Sequence, residues 1–335
     1  MTTPPQIPIP ARILQLATAG WMSAAVSAAA SLGVADALAA GPRRVDDLAE
    51  EIGAHAPTLY RLLRACADFD LFTEHDDQVF ALTELGDALR ADSPLSMRGF
   101  AQWVGDPADR YSWSGLADSV RTGRSAFEAV HGQDVWEYMA THTDTAAVFN
   151  NAMTGASNQM IKPVVAAYDF SAFGTVVDVG GGHGALLAEV LRRNPGVRGV
   201  LYDQPEVVAG VSHPDVADRF TTAGGSFFDS VPGGGDAYLL SNVIHDWDDE
   251  KSTRILSNVR AAMNPGARVL LAEVIMPGKA EPAPTVKLMD LNMLVLCDGK
   301  QRTEAEFADL FAASGLALSR IVPTGFCSVV EAVRA

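Results

Sequence analysis

A glycine-rich turn between a strand and a helix is the feature that most limits how this chain can fold. A strand is predicted at residues 176–179, Gly180, Gly182 and Gly184 follow it, and a helical pattern begins at Ala185. Glycine lets the backbone approach a ligand closely, and the start of a helix offers it free N–H groups. The turn therefore predicts an α/β domain with a ligand-binding loop at the end of a parallel strand.

The C-terminal half alternates between short apolar strands and helices, which is typical of a parallel sheet covered on both faces. Further strands are predicted at residues 199–202, 237–244 and 268–275. The last two strands, residues 316–322 and 328–333, are joined by a short turn without a helix, which predicts an antiparallel pair. The expected fold is a Rossmann-like, doubly wound α/β sheet with an antiparallel C-terminal hairpin at its edge.

The N-terminal part predicts a helical winged-helix domain. A helix at residues 45–52 and a second one opened by Pro57 precede a hairpin at residues 71–74 and 79–82. Winged helices commonly bind DNA, but residues 45–90 hold eleven acidic and three basic side chains. Because phosphate recognition needs the opposite balance, we interpret this domain as a dimerisation module and expect no nucleic-acid partner.

Residues 13–35 carry no charge, and they are numerous enough to span a bilayer. They are rich in Ala, Ser and Gly, so transfer to lipid gains little free energy, and no basic segment of a signal peptide precedes them. We interpret them as one helix buried against another protein surface and expect no membrane partner. A monomer would leave this surface exposed, so the sequence predicts a homodimer.

Net charge and cysteine content indicate the cellular compartment and disfavour several classes of binding partner. The formal net charge of −16 repels phosphate backbones and anionic lipid. Cys66, Cys297 and Cys327 are far apart and lack ligand spacing, so we expect neither disulfides nor zinc, and a reducing cytoplasm fits. The three aspartates of residues 246–249 could bind a metal ion, but carboxylates at the start of a helix more often cap that helix. We therefore expect no metal.

These patterns divide the chain into three parts. Residues 1–100 form the winged-helix dimerisation domain, 101–168 a helical connector that contributes to a ligand pocket, and 169–335 the Rossmann-like domain. The connector is rich in large side chains, most of which are expected to be core. Trp103 and Met153 are candidates for the pocket, because clefts at domain boundaries commonly hold ligands.

The glycine turn by itself admits two kinds of cofactor. Gly180, Gly182 and Ala185 fit a dinucleotide fingerprint, and Asp203 ends the next strand roughly twenty residues on, where a carboxylate can bind ribose hydroxyls. Asp178 favours S-adenosylmethionine, because a carboxylate there can reach a cationic amino-acid moiety. The antiparallel hairpin also departs from the usual dinucleotide fold. A tight turn that binds nothing is the remaining alternative.

Four motifs carry a resemblance to a known family. They are VVDVGGGHG at residues 176–184, LYDQPEVV at 201–208, GSFF at 225–228 and SNVIHDWDD at 241–249. In this order they resemble the S-adenosylmethionine-dependent O-methyltransferases of the caffeate/hydroxyindole type, above all the bacterial natural-product members, over nearly the whole chain. The resemblance implies a homodimer that transfers a methyl group from S-adenosylmethionine to a hydroxyl of a small aromatic acceptor.

The resemblance also implies which residues surround the cofactor. With Asp178, the expected set is Gly180, Gly182, Asp203, Ser226, Phe227, Ser241 and Trp247. Asp203 would bind the ribose, the two glycines the amino-acid part, and Ser226 and Phe227 the adenine. The family usually has Asp at the position of Ser226, so a weaker or water-mediated adenine contact is expected here.

His245 is the predicted general base. A phenol with a pKa near 10 is only about one part in a thousand ionised at pH 7, and a positioned base accelerates such a step by roughly 10²- to 10⁴-fold. We expect His245 to end the strand at residues 237–244, at the carboxyl edge of the sheet where ligands bind. A satisfied turn residue is the alternative; the resemblance agrees with the base, since His245 matches the family's catalytic histidine.

The remaining site residues follow from the resemblance. Glu273 matches a Glu that flanks the histidine, whereas Gln301 stands where the family has a second Glu, and an amide cannot stabilise an imidazolium by charge. The acceptor positions are matched by Met153, Met289, Asn292 and Met293. For the methionines, plain core is the alternative.

Two other functions stay open on the sequence alone. One is a family member that uses the bound cofactor for decarboxylation or hydroxylation; loss of the base histidine would indicate it, and His245 is retained. The other is a DNA-binding regulator, which the acidic winged helix disfavours.

Overall fold

The computed structural model describes residues 7–335, which fold into two compact units. The N-terminal unit comprises the residues up to Tyr111 together with Trp136–Ala156. The second unit, which we call the catalytic unit because it contains the predicted cofactor and base residues, comprises Ser112–Val135 together with Ser157–Ala335. The predicted connector thus contributes helices to both units, and its boundaries stay a prediction.

Helices dominate the first half of the chain. They are α1 (Ile9–Ala17), α2 (Ala19–Ser31), α3 (Val34–Ala37), α4 (Val45–Ile52), α5 (Ala56–Ala67), α6 (Glu84–Asp87), α7 (Arg98–Trp103), α8 (Pro107–Ser114), α9 (Leu116–Thr122), α10 (Ala126–His131), α11 (Val135–Thr141) and α12 (Thr143–Ala167). The strands of this half are β1 (Arg43–Arg44), β2 (Phe72–His75) and β3 (Val79–Leu82).

The helix pair and hairpin expected in the N-terminal unit are present. Helix α4 ends at Ile52 and is capped by Gly53, whose φ of 67° is the left-handed conformation that glycine adopts readily. Strands β2 and β3 pair antiparallel, and the short strand β1, which the sequence did not predict, adds to β3. Leu48, Leu63, Phe72 and Phe80 are buried together in a core beneath these elements.

The prediction of one continuous helix over residues 13–35 is wrong. Helix α1 ends at Ala17, and α2 starts two residues later at an angle of 40°. The Thr18 hydroxyl donates a hydrogen bond to the Leu14 carbonyl at 2.8 Å, a side-chain bond of the kind that bends helices. Within residues 7–335 no single helix is long and apolar enough to cross a membrane; α1 and α2 together pass that test by length and composition only.

The catalytic unit is built on a seven-stranded sheet. Its strands are β4 (Thr175–Val179), β5 (Arg198–Asp203), β6 (Phe220–Gly224), β7 (Ala237–Ser241), β8 (Arg268–Glu273), β9 (Leu316–Pro323) and β10 (Ser328–Arg334). The helices that follow β4 are α13 (Ala185–Arg193), α14 (Pro205–Val208), α15 (Asp249–Ala262), α16 (Pro284–Cys297) and α17 (Glu304–Ala313).

The strand order β6-β5-β4-β7-β8-β10-β9 confirms the predicted fold class. Strands β4 to β8 run parallel, whereas β10 pairs antiparallel with both β8 and β9. Successive residues of the central strands serve opposite faces, as a period of two requires. Val176 and Leu239 pack with α13 on one face, and Val177 and Leu240 pack with α15 and α17 on the other.

Two details of the sheet differ from the sequence prediction. Strand β6 was not expected; its Thr221 and Thr222 are exposed, so it lacks the apolar run that marks the other strands. Strand β7 ends at Ser241 instead of residue 244, because Asn242 adopts a left-handed φ of 53° that takes the chain out of the sheet.

Candidate active site

The sheet topology brings two loops to one place. Strands β4 and β7 are neighbours in the sheet, but the chain order reverses between them, and such switch points form ligand crevices at the carboxyl edge. The glycine turn, residues 180–184, follows β4, and the segment that contains His245 follows β7. The predicted cofactor and base residues therefore lie at the same edge of the same sheet.

The glycine turn has the conformation that its sequence predicts. Gly180, Gly182 and Gly184 all have positive φ, between 56° and 74°, which side chains other than glycine rarely adopt. Gly181 is required for a different reason: a Cβ atom there would lie 2.5 Å from the Asp178 carboxyl. A Cβ on Gly182 would meet no atom within 4 Å, so this part of the turn faces open space.

Asp178 is a buried carboxyl group in β4 with nothing to neutralise it. It is 1% exposed, and neither of its oxygens has a hydrogen-bond partner among residues 7–335. Burial foremost, and then repulsion from Asp203, raises the pKa of Asp178 to about 7. A carboxyl group held in this way fits a cationic ligand group, such as the α-ammonium of S-adenosylmethionine, because it lacks a counter-charge of its own.

Asp203 ends β5 and holds the glycine turn. Its Oδ2 accepts a hydrogen bond from the Gly182 N–H at 2.8 Å, and its Oδ1 accepts one from the Gln204 N–H at 2.7 Å. Each carboxylate oxygen has a further lone pair. Asp203 can therefore order the turn and still accept hydrogen bonds from the two hydroxyls of a ribose.

An aromatic cluster follows β6 and β7. The Trp247 ring packs edge to face against both phenylalanines, with ring centroids 4.8 Å apart for Phe228 and 6.0 Å apart for Phe227. The Phe227 carbonyl accepts a hydrogen bond from Asn258, which fixes this segment to α15. Exposed Ser226 accepts a hydrogen bond from the Phe228 N–H at 3.2 Å. The cluster offers apolar faces of the kind an adenine ring packs against, with Ser226 beside them.

His245 lies in a short 3₁₀ turn, Ile244–Asp246, and not at the end of a strand. We call residues 243–247 the histidine turn. Its Nδ1 is 2.8 Å from Glu273 Oε2. Glu273 is fully buried, and its other oxygen accepts hydrogen bonds from the N–H groups of Val243 and Ile244. Because an ionised carboxylate can only accept, the Nδ1 of His245 carries a proton, and Nε2 is the atom left for proton transfer.

A second carboxylate, for which the sequence predicts a helix cap, contacts the imidazole instead. Asp246 Oδ1 lies 3.3 Å from His245 Nε2, whereas the cap of α15 is Asp248, which accepts from the Lys251 N–H. Burial acts to lower the pKa of His245, but the charges of Glu273 and Asp246 outweigh it and raise the pKa well above 6.5. The histidine is therefore held between two carboxylates although Gln301 is not one of them.

Gln301 is buried in the segment between α16 and α17. It is 4% exposed, and its Oε1 has no hydrogen-bond partner among the described residues. Its backbone N–H donates to Asp290 on α16 at 2.8 Å. The neighbouring Lys300 N–H donates to the His245 carbonyl at 2.9 Å, which places this segment directly against the histidine turn.

The predicted acceptor residues divide between the two units. Met289, Asn292 and Met293 share one face of α16 in the catalytic unit, and the Trp113 N–H donates to Asn292 Oδ1 at 3.0 Å. Trp103 and Met153 belong to the N-terminal unit, where Trp103 is 2% exposed and packs edge-on against Phe149. The acceptor role of all five stays a prediction.

Comparison with known proteins shows the family of this chain. Residues 113–317 match the O-methyltransferase domain family, and residues 14–92 match the O-methyltransferase dimerisation domain family. The chain is 43% identical to phenazine O-methyltransferase PhzM of Lysobacter antibioticus over 331 residues, 97% of this chain and 96% of that protein.

Solved structures show the same fold with cofactor bound. The calicheamicin-biosynthesis methyltransferase CalO1, bound to S-adenosylhomocysteine, is 38% identical with a TM-score of 0.86, covering 98% of this chain and 100% of that one. The neocarzinostatin-biosynthesis O-methyltransferase NcsB1, in complex with S-adenosylmethionine and 2-hydroxy-5-methyl naphthoic acid, is 34% identical with a TM-score of 0.81, covering 94% and 96%. The chain belongs to the O-methyltransferase family and is an S-adenosylmethionine-dependent methyltransferase.

Proposed function

We propose that this enzyme methylates a hydroxyl, most simply a phenolic one, of a small aromatic natural product, with His245 as the general base. The observation that carries the proposal is the 2.8 Å contact between His245 and the buried Glu273, next to the glycine turn at the carboxyl edge. A nitrogen acceptor with a free lone pair would not need such a base, whereas a hydroxyl must lose its proton during the transfer.

The cofactor would be held by the residues around the glycine turn. Asp178 would bind the α-ammonium, the N–H groups of the turn the carboxylate, and Asp203 the ribose. Phe227 and Trp247 would pack on the adenine beside Ser226, and Ser241 at the end of β7 would lie close to the cofactor. When bound, S-adenosylmethionine supplies a methyl group on a positively charged sulfur, which is already activated for displacement.

The protein's own chemical task is then to position and deprotonate the acceptor. Glu273 holds the Nδ1 proton and fixes the plane of the imidazole, so that the Nε2 lone pair can take the hydroxyl proton. Asp246 stabilises the imidazolium that results. Because both carboxylates raise the pKa of His245, the neutral, basic form is scarce at low pH.

The acceptor side would be formed by α16 and the segment after it. Met289 and Met293 offer adaptable apolar surface for an aromatic ring, and Asn292 adds a polar group. The unpartnered Oε1 of Gln301 would accept a hydrogen bond from the acceptor without adding the negative charge of a second Glu.

The direct test incubates the protein with methyl-labelled S-adenosylmethionine and a panel of phenolic, naphtholic and phenazine acceptors, each paired with its O-blocked analogue. Mass spectrometry of the products should show one added methyl group on the free phenol and none on the blocked compound. Methylation of both members of a pair, or of amines alone, would contradict a hydroxyl acceptor.

We also propose that the enzyme acts as a homodimer. Large apolar side chains are exposed on α1 and α2; they are Ile9, Ile13, Leu14, Leu16, Trp21 and Met22. Helix α1 buries none of its residues within the described chain. A group of exposed large apolar side chains indicates a protein interface, and it overlaps the dimerisation domain match at residues 14–92.

Sedimentation at low micromolar concentration tests the dimer. The expected mass is twice 35.4 kDa, and Trp21→Glu with Leu14→Glu should give the monomer. A wild-type protein that stays soluble and monomeric would contradict the proposal.

We propose a reducing cytoplasm as the compartment of this enzyme. The support is that its three cysteines are free thiols.

A further inference from the structure

Arg302 is a buried cation of the catalytic unit that no sequence motif singled out. It is 1% exposed, although arginine rarely lies fully buried without partners. It lies directly after Gln301, in the segment between α16 and α17. Withdrawing a guanidinium from water is costly unless its N–H groups are satisfied, so the groups that it binds show what its charge stabilises.

Arg302 binds the backbone on both sides of His245. Its Nη1 donates to the Ile244 carbonyl at 2.8 Å, and its Nη2 donates to the Trp247 carbonyl at 2.9 Å. A planar guanidinium presents its donors in a rigid fork, so these two bonds fix the distance between the two carbonyls. Lysine, with a single ammonium, could not reproduce this geometry.

Two side chains of α15 hold the Arg302 guanidinium in place. Its Nε and Nη2 donate to Asp249 Oδ1 at 3.0 and 2.8 Å, and Nη2 also contacts the Ser252 hydroxyl at 3.2 Å. Asp249 and Ser252 belong to the first turn of α15. Lys300 Nζ binds the second Asp249 oxygen at 2.9 Å. Arg302 therefore links the histidine turn to the start of this helix.

Charged side chains thus bind both the N–H groups and the carbonyl groups of the histidine turn. Glu273 accepts from the N–H groups of Val243 and Ile244 and also holds the imidazole. Arg302 donates to the carbonyls of Ile244 and Trp247. Because these bonds go to the main chain and not to the imidazole, the influence of Arg302 on the reaction would pass through the backbone.

We propose that Arg302 is a positioning residue for methyl transfer: by binding the Ile244 and Trp247 carbonyls it sets the orientation of the His245 imidazole towards the acceptor. This inference rests on the proposed role of His245 as the general base. It assigns to Arg302 an effect on turnover that is separate from an effect on folding or on cofactor binding.

The test compares Arg302→Met and Arg302→Lys with the wild-type enzyme. Both variants should lower kcat by about 10- to 100-fold, as displacement of a catalytic group by an ångström does. The KM for S-adenosylmethionine and the Kd for S-adenosylhomocysteine should stay near the wild-type values. The downfield proton resonance of His245 Nδ1–H, identified by its loss in His245→Ala, should shift or broaden.

Arg219→Met is the matched control. Arg219 Nη1 donates to three carbonyls, those of Leu191, Asn194 and Val197, at 2.9 to 3.1 Å, and all three lie outside the histidine turn. Its loss should lower Tm while leaving both kcat and the His245 resonance unchanged. This variant therefore shows how much Tm falls when a carbonyl-binding arginine is lost at a place where it does not position His245.

Three outcomes would overturn the proposal: wild-type kcat in a folded Arg302→Met, an equal fall of kcat in Arg219→Met, or a fall of kcat with the His245 resonance unmoved. If Arg302→Met does not fold, Arg302→Lys, which keeps the charge beside Asp249, decides the question by the same criteria. Wild-type turnover in His245→Ala would instead overturn the proposed base, and the resonance would still report whether Arg302 orients the imidazole.

Discussion

The glycine turn and the histidine turn lie at the same edge of the sheet, but they satisfy their charges differently. In the glycine turn, the buried Asp178 carboxyl has no partner within the described chain. In the histidine turn, His245 contacts Glu273 and Asp246, and Arg302 is bound to Asp249. The first region needs a ligand to complete it, whereas the second is complete beforehand.

This difference assigns the two regions different tasks. An unpaired buried carboxyl group is unfavourable until a cation arrives, so Asp178 makes binding energy available to the cofactor. Groups that are already hydrogen-bonded cost no reorganisation at the moment of reaction, which is what a proton acceptor needs. Changes in the glycine turn should therefore affect affinity, and changes in the histidine turn should affect turnover.

The largest expected effect is that of His245→Ala. Removal of a general base should lower kcat by roughly 10²-fold or more, because the acceptor hydroxyl keeps its proton. The Kd for S-adenosylhomocysteine, measured by calorimetry, should stay unchanged, because the cofactor is held by the glycine turn and Asp203. A histidine far from the turn, His55, supplies the control, and His55→Ala should behave as wild type.

The complementary change is Asp203→Ala. Loss of the hydrogen bonds to Gly182 and to the ribose should weaken cofactor binding by about 1 to 3 kcal/mol, with kcat nearly retained at saturating cofactor. Asp215→Ala, which removes an exposed carboxylate paired with Arg192, is the control. A variant that binds normally but turns over slowly would break the division between the two regions.

Asp178 makes cofactor affinity depend on pH. The carboxyl must be ionised to bind an ammonium, and its raised pKa of about 7 leaves it protonated at lower pH. Affinity should therefore fall by about tenfold per pH unit below pH 7 and level off above it. Asp178→Asn should bind weakly at every pH, without this slope. A flat profile in the wild-type protein would show that Asp178 is already ionised without ligand.

The smallest effect concerns the support of His245. Asp246→Asn removes one of the two carboxylates that raise the pKa of His245, so the pH–rate profile should move towards lower pH. Gln301→Glu should move it towards higher pH if that side chain adds charge beside the imidazole. If Gln301 binds the acceptor instead, KM should rise and the profile should stay in place. Asp248→Asn, which alters only the α15 cap, is the control for both.

The glycine turn was predictable because its requirements are local. Asp178 lies in a predicted strand, and the three glycines and Asp203 lie at the ends of predicted strands. A turn that needs a positive φ or a close approach requires glycine, and the glycines can be read from the sequence. The same local reasoning found His245, which follows a predicted strand, whereas Glu273 was assigned from the resemblance to the family. The helical break at Thr18 and strand β6 were missed, because neither carries a strong periodic signal.

The support of the histidine turn was not predictable in the same way. The position of Asp246 ahead of a helical pattern favours a cap, and only the 3₁₀ turn places its carboxylate near Nε2. Arg302 is 58 residues from the carbonyl of Ile244 that it binds. Such long-range hydrogen bonds leave no pattern in a single sequence, so they emerge only from the folded structure.

The central claim, that His245 in its neutral form accepts the acceptor's proton, is tested most directly by comparing two titrations of one protein. NMR would follow the protonation of His245 in the complex with S-adenosylhomocysteine, and kcat/KM for a phenolic acceptor would be measured over the same pH range. We predict a rate that rises with pH, with an apparent pKa above 6.5 that matches the His245 titration. A rate that stays constant while His245 titrates would contradict the account.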